Sequence, residues 1–317
     1  MLSTKDNEQI TRVGPGTPMG ETLRRYWVPI LLDWELPRPD CDPVRVRILG
    51  ENLVAFKDTH GRIGLLANEC PHRRVSLYFG RNEEGGLRCV YHGWKFDVDG
   101  QCMEQPNEPE GSTFAHTVRT PAYQTVERGN VIWAYLGPKE QTPPLPKFDW
   151  TTVPDSHRGV TRIFQECNWV QALEGGIDTS HSSFLHNNNL ADKTLLRSRS
   201  TAPILGVSNT DYGYTYTSTR HLSKQEGSFV RTYHYVMPFH QLRANQVSPN
   251  GGYNMPKIAG HCWVPVDDNN TMVFNFTYTW GEEPLSDAQR TLRGSGNELY
   301  VDIDVDNQFR SFRTRAN

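Results

Sequence analysis

No apolar run in the 317-residue chain approaches the ~18 residues that a membrane-spanning helix needs, so no membrane partner is expected. Neither sign of charge dominates. Thirty-three Lys+Arg against 36 Asp+Glu leave −3, without a basic block, which argues against nucleic acid as a partner. The first twenty residues lack the apolar stretch of a secretory signal, so a cytoplasmic location is expected. Cysteine is sparse: Cys41, Cys70, Cys89, Cys102, Cys167 and Cys262 do not make a disulfide framework in such a chain. There is no internal repeat, and no G-x-G-x-x-G follows a strand, so no nicotinamide site is expected here. What is present is a large aromatic complement, with 8 Trp, 13 Tyr and 13 Phe, which argues against disorder. At about 150 residues per domain the length suggests two domains.

Residues 20–32 (GETLRRYWVPILL) read as a short helix ended or kinked by Pro29. Strand signals follow. Val44–Leu49 alternates strictly and Asn52–Phe56 follows across Gly50-Glu51, a hairpin pattern; Ile63–Ala67 comes after the turn Asp58–Arg62. Leu87–Met103 reads as strand, glycine turn, strand and turn, and Val126–Gly137 as a hairpin turning at Arg128-Gly129-Asn130. Pro138–Trp150 contains four prolines and is the candidate linker. Beyond it, Cys167–His186 looks helical in its first half, with Gly175-Gly176 as an interruption. Tyr212–Arg220, Ser228–Met237, Cys262–Val266 and Thr271–Trp280 read as strands of an antiparallel sheet with one buried face. The expected class is α+β. The expected division is an N-terminal segment 1–37 packing on the catalytic domain, an all-β domain 38–140, and a catalytic domain 141–317 of antiparallel sheet flanked by helices.

Two paired motifs carry chemistry. Cys70-Pro71-His72 is followed after sixteen residues by Cys89-Val90-Tyr91-His92, each pair offering a soft thiolate and an imidazole. A zinc finger wants its two cysteines together and its two histidines together on a helix; here each turn holds one of each, in strand-rich sequence. Two Cys on one iron and two His on the other is the ligand set of a Rieske [2Fe–2S] centre. The second motif is Asp178-Thr179-Ser180-His181 with His186, D-x2-H-x4-H. Two imidazoles and a carboxylate form the facial triad of non-haem Fe(II) oxygenases. Asp178 and His181 share a face if helical. His181 and His186 stand about 140° apart on an ideal helix, so both reach one metal only where the helix ends or bulges.

These motifs resemble those of Rieske non-haem iron aromatic-ring-hydroxylating oxygenases, catalytic α subunits, in the phthalate 4,5-dioxygenase subgroup. Val13–Gly20, Arg24–Ile30, Asn68–Arg74, Gly85–Gly100, Glu104–Phe114 and Asn168–His186 carry the resemblance. It implies a [2Fe–2S] cluster on Cys70, His72, Cys89 and His92, and a mononuclear Fe(II) on His181 and His186. It implies that Asp178 acts as an electron bridge, meeting His92 of an adjacent chain in a homotrimer or a higher multiple of three. O2 would be co-substrate, and NAD(P)H would act only through a separate reductase.

The third iron ligand should be a carboxylate. Glu298, Asp302, Asp304 and Asp306 are available, but their segment resembles one that precedes the family's ligand, so the ligand is expected beyond Asn317. The expected function is a terminal oxygenase component that hydroxylates a small, carboxylated (phthalate-like) aromatic. The alternative is a Rieske monooxygenase such as an aryl-ether demethylase or a diaryl-ether cleaving enzyme. A carboxylate substrate needs an arginine fork, for which Arg197, Arg199, Arg220, Arg231 and Arg243 are candidates. Two readings from other classes compete. A pure electron-transfer Rieske protein would need one domain and no second metal motif, and a zinc-stabilised binding module would be colourless.

Overall fold

The computed structural model describes residues 2–185, 196–244 and 257–290. The chain divides into two units: Met1–Thr152 with Pro265–Asn270, and Val153–Val264 with Thr271–Asn317. Two short helices open the first unit, α1 (Thr4–Thr11) and α2 (Pro18–Leu23). Ten strands follow: β1 (Trp27–Leu32), β2 (Val44–Ile48), β3 (Glu51–Lys57), β4 (Ile63–Ala67), β5 (Arg81–Glu83), β6 (Gly86–Arg88), β7 (Lys95–Phe96), β8 (Cys102–Glu104), β9 (Gln124–Arg128) and β10 (Val131–Tyr135). They form three small sheets, β1-β10-β9, β2-β3-β4 and β5-β6-β7-β8. The expected hairpins are present. The turns Leu49-Gly50 and Gly129-Asn130 each place both residues at positive φ, which suits the twist of a two-residue hairpin.

Residues 27–32 are a strand and not the end of a helix. All six side chains are buried, and an all-apolar run has no period to separate the two conformations. Pro29 is tolerated because β1 is an edge strand whose register shifts between Pro29 and Leu31. Thus part of the N-terminal segment, expected to pack on the catalytic domain, pairs with β10 inside the first unit. The proline-rich stretch is fastened down: Trp27 Nε1 donates to Pro143 O at 2.8 Å, Tyr135 Oη to Gln141 O at 3.1 Å, and Trp150 packs by Trp133. The six cysteines are free; Cys167 is half-buried and the rest are buried.

The second unit holds β11 (Arg158–Gln165), α3 (Trp169–Ile177), α4 (Leu196–Arg199), β12 (Ile204–Thr210), β13 (Gly213–Ser223), β14 (Gly227–Val236), β15 (His240–Ala244), β16 (Lys257–Asp267), β17 (Asn270–Thr279) and α5 (Asp287–Arg290). Its strands form one seven-stranded sheet, β11-β17-β16-β15-β14-β13-β12. The antiparallel pairings put Tyr216, Tyr233, Arg243, Gln241 and His261 on one face, since directly opposite partners and alternate residues share a side. That face meets α3, because Gln241 Nε2 donates to Gly176 O at 3.1 Å. Gly175-Gly176 does not interrupt α3. A Cβ on Gly176 would come within 1.9 Å of the Trp263 ring, so glycine allows the helix to lie against the sheet. Among the described residues no helix is long and apolar enough to cross a membrane.

Candidate metal centres

The Cys70 and Cys89 turns have the same backbone design. In the first, Cys70 N donates to Val75 O (2.9 Å) and Arg74 N to Cys70 O (2.8 Å); in the second, Cys89 N donates to Trp94 O (2.8 Å) and Gly93 N to Cys89 O (3.0 Å). Each turn closes through a left-handed residue, Arg74 at φ +58° and Gly93 at φ +72°. Both thiols belong to an apolar core with Val54, Phe56, Leu66, Leu87, Trp94 and Phe96. Burial pushes the Cys70 thiol up to about 11; the backbone N–H groups of His72 and Arg73 oppose this, and the neighbouring Cys89 thiol adds to it. Those N–H groups form the kind of nest that stabilises a thiolate or a sulfide.

The imidazoles stand at the rim of this core. His72 and His92 have ring centroids 4.5 Å apart. Burial holds the His72 ring below the usual histidine range, helped by His92 and Arg73 and opposed by Glu108. His92 Nδ1 is buried and has no hydrogen-bond partner among the described residues. Such an orphan costs about 1–3 kcal/mol, which a metal bond would offset. Among the described residues no three His, Cys, Asp or Glu converge on a point that one metal ion could occupy. A binuclear Rieske cluster takes two Cys on one iron and two His on the other. Two buried thiols with two imidazoles at their rim fit that ligand set.

Trp94, which follows the second turn, braces the first. Its indole stacks on His72, 4.4 Å between centroids and 7° between planes, and Nε1 donates to Asn107 Oδ1 at 2.7 Å. Arg88 donates to Gly93 O at 3.1 Å and pairs with Glu83 and Glu104, tying the second turn to the sheet. The motif contained Trp94, but nothing in the sequence marked Asn107 or Arg88 as its supports.

Asp178 and His181 do not share an α-helix; among the described residues of the iron motif only His181–Ser183 form a helical turn, of the 3-10 kind. α3 ends at Ile177, and Asp178 is its C-cap in an extended conformation. Asp178 and His181 are brought together by a tight turn instead of a shared helix face. Ser180 N and His181 N donate to the Asp178 carboxylate at 2.7 and 3.1 Å, and His181 Nδ1 lies 3.2 Å from Oδ2. Burial opposes the charge on Asp178, but these N–H donors and the His181 ring outweigh it and hold the carboxyl below its usual range. With Nδ1 facing Asp178, His181 would offer Nε2 to a metal, the arrangement in which a carboxylate fixes the tautomer of a ligand histidine. His186, Glu298, Asp302, Asp304 and Asp306 lie outside the described residues.

Comparison with known proteins decides the family. The Rieske [2Fe-2S] domain model matches residues 26–124 and the LigXa C-terminal domain like model residues 134–317. The phthalate 4,5-dioxygenase oxygenase subunit of Pseudomonas putida is 38% identical over all of this chain and 73% of its own length. The chain belongs to the Rieske non-haem iron oxygenases. The 3-chlorobenzoate-3,4-dioxygenase oxygenase subunit of Comamonas testosteroni is 40% identical over 88% of this chain; only 64% of that protein is spanned. Dicamba monooxygenase bound to 3,6-dichlorosalicylic acid shares the fold, with TM-score 0.71 and 20% identity over 87% of this chain and 83% of that one.

Within this Rieske oxygenase the arginine candidates separate. Arg220 is buried and holds the Asp178–Ser183 loop, through Thr179 O and Ser183 Oγ, and so does not offer itself to a substrate. Arg199 pairs with Glu226. Arg231 and Arg243 stand on the α3 face of the sheet, Arg231 within 6.0 Å of the Phe229 and Tyr233 ring centres. The side chain of Arg197 lies outside the described residues. On the same face His261 Nδ1 lies 2.6 Å from Asn275 Oδ1; burial, aided by Arg243, pushes His261 down to about 3 against that bond. His261 and Gln241 alternate like ordinary strand residues and gave no signal in the sequence.

Proposed function

We propose that this chain is the terminal oxygenase component of a cytoplasmic system in which a separate reductase draws electrons from NAD(P)H and a small aromatic carboxylate is hydroxylated with O2. The observation that carries the reading is the pair of matched turns, with two buried thiols side by side and two imidazoles at their rim. Cys70, Cys89, His72 and His92 would hold the [2Fe–2S] cluster, and His181 and His186, with a third carboxylate, the mononuclear iron. When bound, the first group supplies single electrons and the second activates O2.

The chain's own residues prepare these sites. Asp178 fixes the tautomer and direction of His181. In a homotrimer the same carboxylate would accept a hydrogen bond from His92 of a neighbouring copy, joining the two redox sites across the interface. Trp94 covers one face of His72 and keeps water from it. Arg231 or Arg243, on the face that meets α3, would take the substrate carboxylate by its fork. The two dioxygenase relatives are named for phthalate and 3-chlorobenzoate, both aromatic carboxylates.

The test is turnover with a reductase, NAD(P)H and 18O2 across phthalates, benzoates and aryl ethers. Two labelled oxygens in a cis-diol of an aromatic acid are expected. One labelled oxygen, or formaldehyde release from a methoxy acid, would assign a monooxygenase instead. NAD(P)H-dependent product from none of these, with the cluster cycling normally, would overturn the substrate class.

A further inference from the structure

We propose that Arg220 is a positioning residue for the iron loop: its buried guanidinium ties together backbone on both sides of the segment that follows His181. Arg220 lies on β13, is 5% exposed, and faces the loop from the sheet. Its Nη2 donates to Thr179 O at 2.8 Å and its Nη1 to Ser183 Oγ at 2.9 Å. Nη1 also donates to Ser200 O, beyond that segment. Ser183 is fully buried, and Ser182 Oγ donates to the same Thr179 carbonyl at 2.9 Å. His181 therefore sits between two anchored points, Thr179 and Ser183, while Asp178 aims its ring.

A fixed cation suits this task. Thr179 and Ser200 present carbonyls and Ser183 a hydroxyl, all accepting here, and guanidinium presents five donors in one rigid plane. A lysine has the charge but not the fork. The inference rests on the reading of His181 as an iron ligand and assigns the loop's geometry to a residue that touches neither iron nor substrate. It also removes Arg220 from the substrate anchors, so its loss should weaken metal binding and leave substrate recognition alone.

The test is Fe(II) titration of chelator-stripped purified protein with its cluster intact, in wild type, Arg220→Met, Arg220→Lys and Ser183→Ala. Loss of an outer support of a metal ligand costs about 10–100-fold in affinity. Arg220→Met is expected to lose at least about tenfold, with cluster absorbance unchanged and Arg220→Lys intermediate. Ser183→Ala, which leaves the guanidinium in place, should show a smaller loss and keeps the question open to measurement if Arg220→Met does not fold. Unchanged Fe(II) affinity in Arg220→Met, or in Ser183→Ala where Arg220→Met does not fold, would overturn the clamp. Unchanged affinity with a raised KM for aromatic acids would make Arg220 a substrate anchor instead. A wild type that binds no Fe(II) beyond its cluster would overturn the iron-site reading, and the clamp with it.

Discussion

The Trp94 indole lies flat on the His72 imidazole, 4.4 Å between ring centroids, and is held there by the carboxamide of Asn107. One rim ligand of the first turn is thus braced by a residue of the second. Trp94→Leu removes both stack and hydrogen bond and opens a cavity in the core, at a cost of about 2–4 kcal/mol. Asn107→Ala keeps the stack and orphans one N–H, costing about 1–3 kcal/mol. Urea unfolding and the thermal bleaching rate of the visible absorbance measure both. The expected order of stability is wild type, Asn107→Ala, Trp94→Leu; equal bleaching rates in all three would contradict the bracing.

The two left-handed positions should respond unequally. A Cβ on Gly93 would meet Pro106 Cγ at 2.6 Å and would force a side chain into φ +72°. Gly93→Ala should therefore cost about 2–4 kcal/mol and impair cluster loading. Arg74 already bears a side chain at φ +58° and forms an exposed pair with Glu69. Arg74→Gly relieves that conformation but adds freedom to the unfolded chain, so its net effect should be much smaller than that of Gly93→Ala. Urea denaturation of the pair checks the asymmetry.

Acid should weaken the second unit. Burial pushes both His240 and His261 down to about 3. Both are depressed bases, so the unfolded chain takes up protons first. Their contribution is complete above about pH 6.5 and is lost as pH falls toward 3, by about 1.4 kcal/mol per pH unit for each ring. Between pH 6.5 and 5 this amounts to about 2 kcal/mol per histidine. His240→Leu should flatten the urea-derived slope by the share of one ring. An unchanged slope would mean that His240 is protonated in the folded protein.

Asp178→Asn keeps the size of the side chain but loses the charge that receives the Ser180 and His181 N–H groups. The cluster and the oligomer should persist while turnover falls about 10–100-fold. Single-turnover oxidation of the reduced cluster, read with iron content, separates the roles. A normal rate would refute the bridge, and loss of the mononuclear iron would make Asp178 a ligand.

Much of this was legible in the sequence because strand alternation and metal spacing are local. Val44–Leu49, Tyr212–Arg220 and Thr271–Trp280 alternate, and the strands Val44–Ile48, Gly213–Ser223 and Asn270–Thr279 form there. The uniform run Trp27–Leu32 carries no period, so its strand conformation depended on β10, about a hundred residues away in the chain. Gly175-Gly176 looked like an interruption because the ring it accommodates, Trp263, is remote in sequence. The role of Arg220 was hidden for the same reason: its partners Ser183 and Ser200 lie 37 and 20 residues away.

The central claim is that Cys70, His72, Cys89 and His92 hold an iron–sulfur cluster separate from an iron at His181 and His186. The direct measurement is iron, zinc and acid-labile sulfide on one purified sample of wild type, Cys89→Ala and His181→Ala. Wild type should contain two sulfides and up to three irons per chain, Cys89→Ala should lose the sulfide and the colour, and His181→Ala should keep both while losing one iron and all product. Stoichiometric zinc without labile sulfide would contradict the claim, as would His181→Ala that retains full iron and turnover.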